Sequence, residues 1–295
     1  MTRFIAFAFA AFVCSSLPIA NAAPQTAADE TVFRLSDSTA VYTQALLTDM
    51  QTADVVLLGE IHDNLRHHEL RAQLLREPAL NQRSVVAEHL DAGQVVGPGD
   101  TLLTRLEQAG FDAKGWQWPM HQSLFAAVLD QSMPLYGGNL PKLQAREAFK
   151  TRGKSLPADT QAMLLRAPLD EDGVKQLRHE IDEGHCGALP GMLFEGMMAV
   201  QRGRDAAMAD QLMSHLPSVL LSGNGHAWKH LGVPQIIRTT RPGVRTLSLL
   251  LLEHEPFADA ATQREWLQHW QGKADYVWMT PAATRENPCL SLQKK

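Results

Sequence analysis

The chain has 295 residues, of which 45% are hydrophobic, and its formal net charge is −5 at pH 7. This composition is typical of a globular protein with enough apolar material for a sizeable core. The charge is mild and no block of Lys or Arg occurs, which argues against nucleic acid as a partner.

The first 22 residues have the pattern of a secretory signal peptide. Arg3 supplies a positive start, residues 5–20 are largely apolar, and a small-residue cleavage motif ends at Ala22. A lipoprotein would use Cys14, but the preceding Val13 is a poor residue before a lipidated cysteine, so this alternative is disfavoured. We expect cleavage after Ala22 and a soluble protein in the periplasm.

Cleavage would leave two cysteines, Cys186 and Cys289, in the mature protein. Two thiols in an oxidising compartment can form a disulfide. The sequence does not show whether the two lie close enough, so their pairing stays open at this point. No CxxC motif, zinc spacing or covalent haem motif is found.

Five short apolar runs follow a polar, Ala-rich lead-in at residues 23–37 that we expect to be mobile. The runs lie at residues 54–60, 84–90, 133–139, 218–226 and 246–253. They do not alternate between apolar and polar residues, which is typical of strands covered on both faces. Helical stretches separate them, so the sequence predicts an α/β fold with a mostly parallel central sheet and helices on both faces.

The connection between the third and fourth runs is too long for a single crossover. Residues 142–215 contain several helical segments separated by Gly and Pro, and we interpret them as a helical lobe inserted into one domain spanning residues 23–295. Near the C-terminus, residues 266–280 are expected to add a helix and an edge strand.

Acidic and imidazole side chains follow the predicted strands at their carboxyl ends. Glu60 and His62 end the first strand, Glu88 the second, Asn139 the third and His226 the fourth. Parallel strands bring these ends to one edge of a sheet, where ligands bind in open α/β folds. Carboxylates and imidazoles are ligands for Zn, Mn, Fe or Co and are also general acids and bases. We therefore predict that Glu60, His62, Glu88 and His226 form a metal or catalytic site.

Other polar residues near these ends have simpler interpretations. His67, His68 and His89, taken singly, are interpreted as cap, turn or surface residues, with His67 and His68 facing solvent. Asp63 and Asn64 are natural N-caps, and we expect at least one of them to cap the following helix.

Several motifs together resemble the ChaN family of bacterial haem-binding proteins. They are GEIHDNLRHH, VVAEHL, YGGNLPK, FEGMMAVQRGRDAAMA and GNGHAWKHLGVPQ, which lie between about Leu57 and Pro234. The wider group includes Tiki-type metalloproteases, TraB-like proteins and erythromycin esterases. The resemblance implies haem binding in iron acquisition by a homodimer that holds haem between subunits, with haem receptors or transporter components as partners. Family members are often lipoproteins, and this chain departs from them at Cys14.

The helical lobe offers candidate haem contacts. Met192 and Met197 belong to an apolar, adaptable surface that suits a flat ligand, although such a surface is also typical of ordinary core. His185 just before this helix is a candidate axial ligand. By analogy with the family, Tyr136 is a second candidate, unless it packs in the core. Arg204, like Arg202 and Lys229, could pair with a haem propionate or lie at the surface.

Two classes of function therefore follow from the sequence. The first is a periplasmic haem-binding protein for haem or iron uptake. The second is a divalent-metal-dependent hydrolase of the Tiki or erythromycin esterase type, in which Glu60, His62, Glu88 and His226 hold the metal. A protein with both a metal site and a separate haem site is also compatible with the sequence.

Overall fold

We analysed a computed structural model of the chain, which describes residues 30–285 and residue 289. The predicted signal peptide at residues 1–22 lies outside the described residues. Among the helices that the structure describes, none is long and apolar enough to cross a membrane.

Eight strands and eleven α-helices make up the described chain. The strands are β1 (Thr31–Arg34), β2 (Thr39–Val41), β3 (Val55–Glu60), β4 (Ser84–Asp91), β5 (Leu135–Asn139), β6 (Ser218–Gly223), β7 (Thr246–Glu253) and β8 (Tyr276–Thr280). The helices are α1 (Thr43–Thr52), α2 (Leu65–Arg76), α3 (Leu102–Gln108), α4 (Gln122–Asp130), α5 (Lys142–Thr151), α6 (Ala158–Arg166), α7 (Glu171–Glu183), α8 (Phe194–Ser214), α9 (Asn224–Ala227), α10 (Val233–Thr240) and α11 (Ala260–Trp270), with a 3₁₀ turn at Gly191–Leu193.

All eight strands form one sheet in the order β2-β1-β8-β7-β3-β6-β4-β5. The six strands from β8 to β5 run parallel, and only β1 and β2 are antiparallel to their neighbours. The predicted α/β fold with a mostly parallel sheet is therefore confirmed. The carboxyl ends of the six parallel strands meet at one edge of the molecule, which is the edge that carries the polar side chains.

The apolar strands are explained by burial on both faces of the sheet. In β3, Val56 and Leu58 pack into a core shared with α1, α2, α3 and α4. Val55 and Leu57 point the other way, into a second core formed with α6, α8, α10 and α11. Successive strand residues point to opposite faces, so a strand with helices on both sides needs apolar residues at every position.

Both ends of the described chain differ from the sequence-based expectation. Part of the lead-in forms β1, whose Val32 and Phe33 are buried, so the expectation of a mobile segment through residue 37 is wrong. The predicted edge strand is β8, but β8 lies inside the sheet because β1 pairs with it on the outer side. A four-residue strand in a polar, Ala-rich segment carries too little pattern to be recognised in advance.

Residues 142–215 fold into α5, α6, α7 and α8. The longest of these, α8, packs over β4, β5 and β6 and is itself covered by α5, α6 and α7. The loop between α7 and α8 is joined to the C-terminal segment by a disulfide between Cys186 and Cys289, with an S–S distance of 2.07 Å. The pairing that the sequence left open is therefore present in the structure.

Candidate functional site

The two Gly-x-x-His segments lie side by side at the sheet edge. Gly59 in β3 pairs with Ser222 in β6, and Glu60 pairs with Gly223. A Cβ atom on Gly59 would lie 2.5 Å from Asn224 Oδ1, and one on Gly223 would lie 2.7 Å from His62 Nε2. Each glycine therefore leaves room for a side chain of the opposite segment. This close approach, and not a special backbone conformation, is the reason that a residue without a side chain is needed at both positions.

Glu88 at the end of β4 lies between the two histidines of these segments. Its Oε2 is 3.8 Å from His62 Nε2, and its Oε1 is 3.4 Å from His226 Nε2. The backbone N–H of Gly223 donates a hydrogen bond of 2.8 Å to Glu88 Oε2. Asn139 at the end of β5 donates from Nδ2 to the Glu88 carbonyl, so it holds the backbone of Glu88 and not a ligand.

The other nitrogen of His226 is held by a carboxylate on α8. His226 Nδ1 donates to Asp205 Oδ1 at 2.6 Å, and Gln201 Nε2 lies 3.2 Å from the same nitrogen. Burial lowers the pKa of His226, but Glu88 and Asp205 outweigh it and raise the pKa to about 10. Burial also raises the pKa of Glu88, yet His226 and His62 hold it well below its usual range. The imidazolium and the carboxylate therefore stabilise each other's charged forms.

Glu60 is the centre of a second group of polar side chains, in which Glu60, Arg71 and His68 are buried and His62 is partly exposed. Its Oε2 accepts a hydrogen bond from Arg71 and lies 2.9 Å from His68 Nδ1, while its Oε1 accepts from His62 Nδ1 at 3.0 Å. Burial raises the pKa of Glu60, but Arg71 and the neighbouring histidines hold it well below its usual range. Glu60 is therefore a buried, ionised carboxylate that is surrounded by basic side chains.

Two further histidines face Glu60 from other elements. His89 in β4 and His121 before α4 are 2% and 1% exposed, and their Nε2 atoms lie 3.6 Å and 3.9 Å from Glu60 Oε1. Burial lowers the pKa of both imidazoles, that of His121 to about 2. Both rings are therefore neutral at physiological pH.

The prediction that His67 and His68 face solvent is wrong, because both are completely buried. His67 accepts from the backbone N–H of Ile61 at 3.0 Å and contacts Thr280 Oγ1 at 2.8 Å. Burial lowers its pKa to about 3. The N-terminal part of α2 packs under the strand ends, and His68 and Arg71 point inward to Glu60.

Sequence reasoning did not identify His121 or Arg71 as site residues. The available signal for His121 was its position directly before an apolar helix that packs on α2. Arg71 lies one helical turn after His67 and His68, on the face that meets Glu60. Polar residues at helical spacing, such as His67, His68 and Arg71, can mark the helix face that meets a buried acidic residue.

Asn64 is the N-cap of α2, as expected for one of Asp63 and Asn64. Its side chain accepts a hydrogen bond from Arg66 N at 2.9 Å. The Asn64 amide also donates to Glu253 Oε1 at 2.6 Å. Burial raises the pKa of Glu253, but hydrogen bonds from Arg285, the Ala283 N–H and Asn64 lower it to about 2. These hydrogen bonds hold the N-terminus of α2 against the carboxyl end of β7.

A cavity of about 540 Å³ lies between α7, α8 and α9, next to Asp205, and we call it the α7–α8 cavity. Its apolar lining comes from α7, α8 and the segment after α9: Leu177, Ile181, Met197, Val200, Trp228 and Leu231. Three of the candidate haem contacts, His185, Met197 and Arg204, line it. His185 Nδ1 donates to the carbonyl of Ile181 at 2.6 Å.

The remaining candidate haem contacts lie elsewhere. Met192 is 80% exposed on the 3₁₀ turn and does not line the cavity. Tyr136 stacks on His215, which lies before β6, with ring centroids 3.7 Å apart, so it faces the amino ends of the strands. Tyr136 therefore lies away from the carboxyl ends of the strands, where Glu60, Glu88 and His226 are found.

Arg202 and Lys229 are committed to structural contacts. Arg202 is buried and donates to the carbonyls of Ala167 and Leu231, and Lys229 pairs with Asp275. By contrast, Arg204 Nε is buried and has no hydrogen-bond partner among the residues that the structure describes. Of these three cations, Arg204 is therefore the one available to a ligand in the cavity.

Comparison with known proteins gives a family and a fold. Residues 46–237 match the family model described as "Haem-binding uptake, Tiki superfamily, ChaN". A solved structure of ChaN from Campylobacter jejuni, titled as showing cofacial haem binding, superposes with a TM-score of 0.67 at 18% identity, covering 85% of this chain and 96% of that one. A Bacillus cereus protein gives a TM-score of 0.44 at 12% identity, covering 80% and 90%. No curated protein sequence matches the chain.

Proposed function

Because the chain belongs to the ChaN haem-binding uptake family of the Tiki superfamily, we propose that it binds haem in the α7–α8 cavity. The observation that carries this proposal is the position and protonation of His185. A carbonyl oxygen only accepts hydrogen bonds, so the contact with Ile181 fixes the proton on His185 Nδ1. The lone pair is then on Nε2, which is the form in which histidine ligates iron.

The rest of the cavity suits a flat, apolar ligand with acidic groups. Its volume of about 540 Å³ is within the range of roughly 300–1,000 Å³ found for cofactor sites. Met197 and Trp228 supply adaptable and aromatic surface. Arg204 lines the same cavity and supplies a cation for a propionate.

We extend the proposal to the cellular role. The N-terminal pattern directs export, so the protein works in the periplasm and holds haem for uptake, and it passes haem to receptor or transporter components. A disulfide between Cys186 and Cys289 is stable in an oxidising compartment, which supports this location. We propose a homodimer, and the exposed Met192 next to the cavity loop is a residue that a second copy or a second haem would cover.

An absorption titration with hemin tests haem binding at this site. We expect a Soret band that saturates for the wild type and is weakened or shifted in His185→Ala. His179→Ala is the matched control, because His179 is exposed on the same helix α7 and should titrate like the wild type. No saturable band, or identical spectra for wild type and His185→Ala, would contradict the proposal.

The second candidate function is metal-dependent hydrolysis, and one observation favours it. Asp205 holds His226 Nδ1, which leaves His226 Nε2 facing Glu88, with His62 on the other side. A carboxylate that orients a ligating histidine is typical of metal sites. A divalent metal there would be held by His62, His226 and one of Glu60 and Glu88 and would activate water for hydrolysis, and the other glutamate would serve as the base.

Hydrolysis is tested with ester and peptide substrates in the absence of haem. Turnover that is lost with a chelator and in His226→Ala would support this second function. Absence of turnover in the metal-loaded wild type would contradict it. His179→Ala serves again as the control, because this residue lies outside both groups of side chains.

A further inference from the structure

The strongest unexplained feature of the molecule is the pair His89 and His121. Both ring nitrogens of each residue are buried and have no hydrogen-bond partner among the described residues. Leaving a buried polar group without a hydrogen-bond partner destabilises the folded state. Such groups in a folded protein call for an unseen water or ion. Two buried imidazoles whose ring nitrogens have no hydrogen-bond partner, placed beside a carboxylate, favour an ion.

The spacing of the atoms supports a metal ion. The Nε2 atoms of His89 and His121 lie 3.6 Å and 3.9 Å from Glu60 Oε1, which is too long for hydrogen bonds. One ligand atom from each of the three residues falls within 4.8 Å of the other two. Ligands at about 2.0–2.1 Å from a tetrahedral ion are about 3.3 Å apart, so small side-chain rotations would close the site.

The surroundings of Glu60 aim one oxygen at the two imidazoles. Arg71 and His68 contact Oε2, so the carboxylate is fixed from the opposite side and Oε1 faces His89 and His121. Contacts of this kind orient a ligand and are typical of metal sites. Arg71 also repels a cation, which lowers the affinity relative to the same three ligands without it.

Aromatic rings close the site from the other side. Trp116 lies 4.4 Å from His89 between ring centroids, and Phe125 lies 5.4 Å from it. His62, whose side chain is 42% exposed, lies against Glu60, and its ring centroid is 5.1 Å from that of Trp116. His62 therefore stands between the proposed site and solvent.

We propose that Glu60 Oε1, His89 Nε2 and His121 Nε2 bind a divalent transition-metal ion of the Zn²⁺ type, at a position different from the Glu88–His226 pair. One carboxylate and two imidazoles are a common ligand set for such ions. This site does not depend on haem binding, because no ligand of it lines the α7–α8 cavity.

Metal content of the purified full chain tests the proposal. The protein is loaded with Zn²⁺, excess metal is removed by dialysis, and bound zinc is measured by mass spectrometry. The wild type should retain stoichiometric zinc, while His121→Gln and His89→Gln should bind it more than about tenfold more weakly. His179→Gln is the matched control: it changes an exposed histidine on α7, outside both groups of side chains, and should retain the ion. Circular dichroism checks that each variant is folded.

The comparison of variants tests whether these side chains hold the ion. Retention of zinc by His121→Gln or His89→Gln, or its loss from His179→Gln to the same extent, would overturn the proposal, as would a folded wild type without stoichiometric zinc. A second measurement on the wild type avoids dependence on variants: bound Cu²⁺ should show electron–nuclear couplings to two imidazoles, and coupling to one or none would overturn the assignment. Hemin titration of His121→Gln should still give the wild-type Soret band, so failure of this proposal and failure of haem binding are distinguishable.

Discussion

Replacing Arg71 by Met should destabilise the protein strongly. Arg71 and Glu60 are both completely buried and form a direct ion pair. Arg71→Met leaves the buried carboxylate of Glu60 without its main counter-charge. Removing one partner of a buried pair costs about 3–5 kcal/mol. Each kcal/mol shifts the melting temperature of a domain of this size by about 2–4 °C, so we expect a drop of about 6–20 °C.

Urea unfolding followed by circular dichroism, in the presence of a chelator, measures this effect. The double variant Glu60→Gln/Arg71→Met removes both charges and should be less destabilised than the sum of the two single variants, since neither charge is left unpaired. A loss below about 1 kcal/mol for Arg71→Met, or strict additivity in the double variant, would refute the reasoning that this is a tightly coupled buried pair.

Two other predictions concern the periphery of the site. Cys186→Ser removes the disulfide that joins two residues 103 positions apart. Because the unfolded chain gains the entropy of the opened loop, we expect the free energy of unfolding to fall by up to about 4.7 kcal/mol. An unchanged melting temperature would contradict this prediction. Glu253→Gln tests the low pKa of that carboxyl, about 2 in the folded protein. The wild type should be more stable than this variant above pH about 4.3, which is the pKa of Glu in an unfolded chain. The difference in stability should shrink as the pH falls toward 2. A difference in urea midpoints that does not depend on pH would contradict this prediction.

The architecture could be predicted largely from the sequence because burial on both faces leaves a clear signal. Continuous apolar runs such as residues 54–60 and 246–253 have no polar face, and only a covered parallel sheet accommodates several of them. The same reasoning explains why Glu60 and Glu88 lie near each other, since their strands end at the same edge. By contrast, β1 could not be recognised, because four residues paired to the C-terminal β8 depend on a contact far away in sequence.

The composition of the buried polar group could not be predicted for a different reason. A histidine at the start of a helix looks the same in sequence whether it faces water or a carboxylate, and His68 and His121 are of this kind. Their inward orientation depends on how α2 and α4 pack against each other under the strand ends. Tertiary packing decides whether such a side chain is buried or exposed. Residue type and spacing alone therefore led to the wrong prediction that His68 faces solvent.

We propose that haem occupies the α7–α8 cavity with its iron at His185. Crystals of the hemin complex, examined at the iron absorption edge, locate the metal directly by its anomalous scattering. We expect an iron peak in the cavity within bonding distance of His185 Nε2, with a propionate near Arg204. An iron peak at Tyr136, or anywhere outside the cavity, would contradict it.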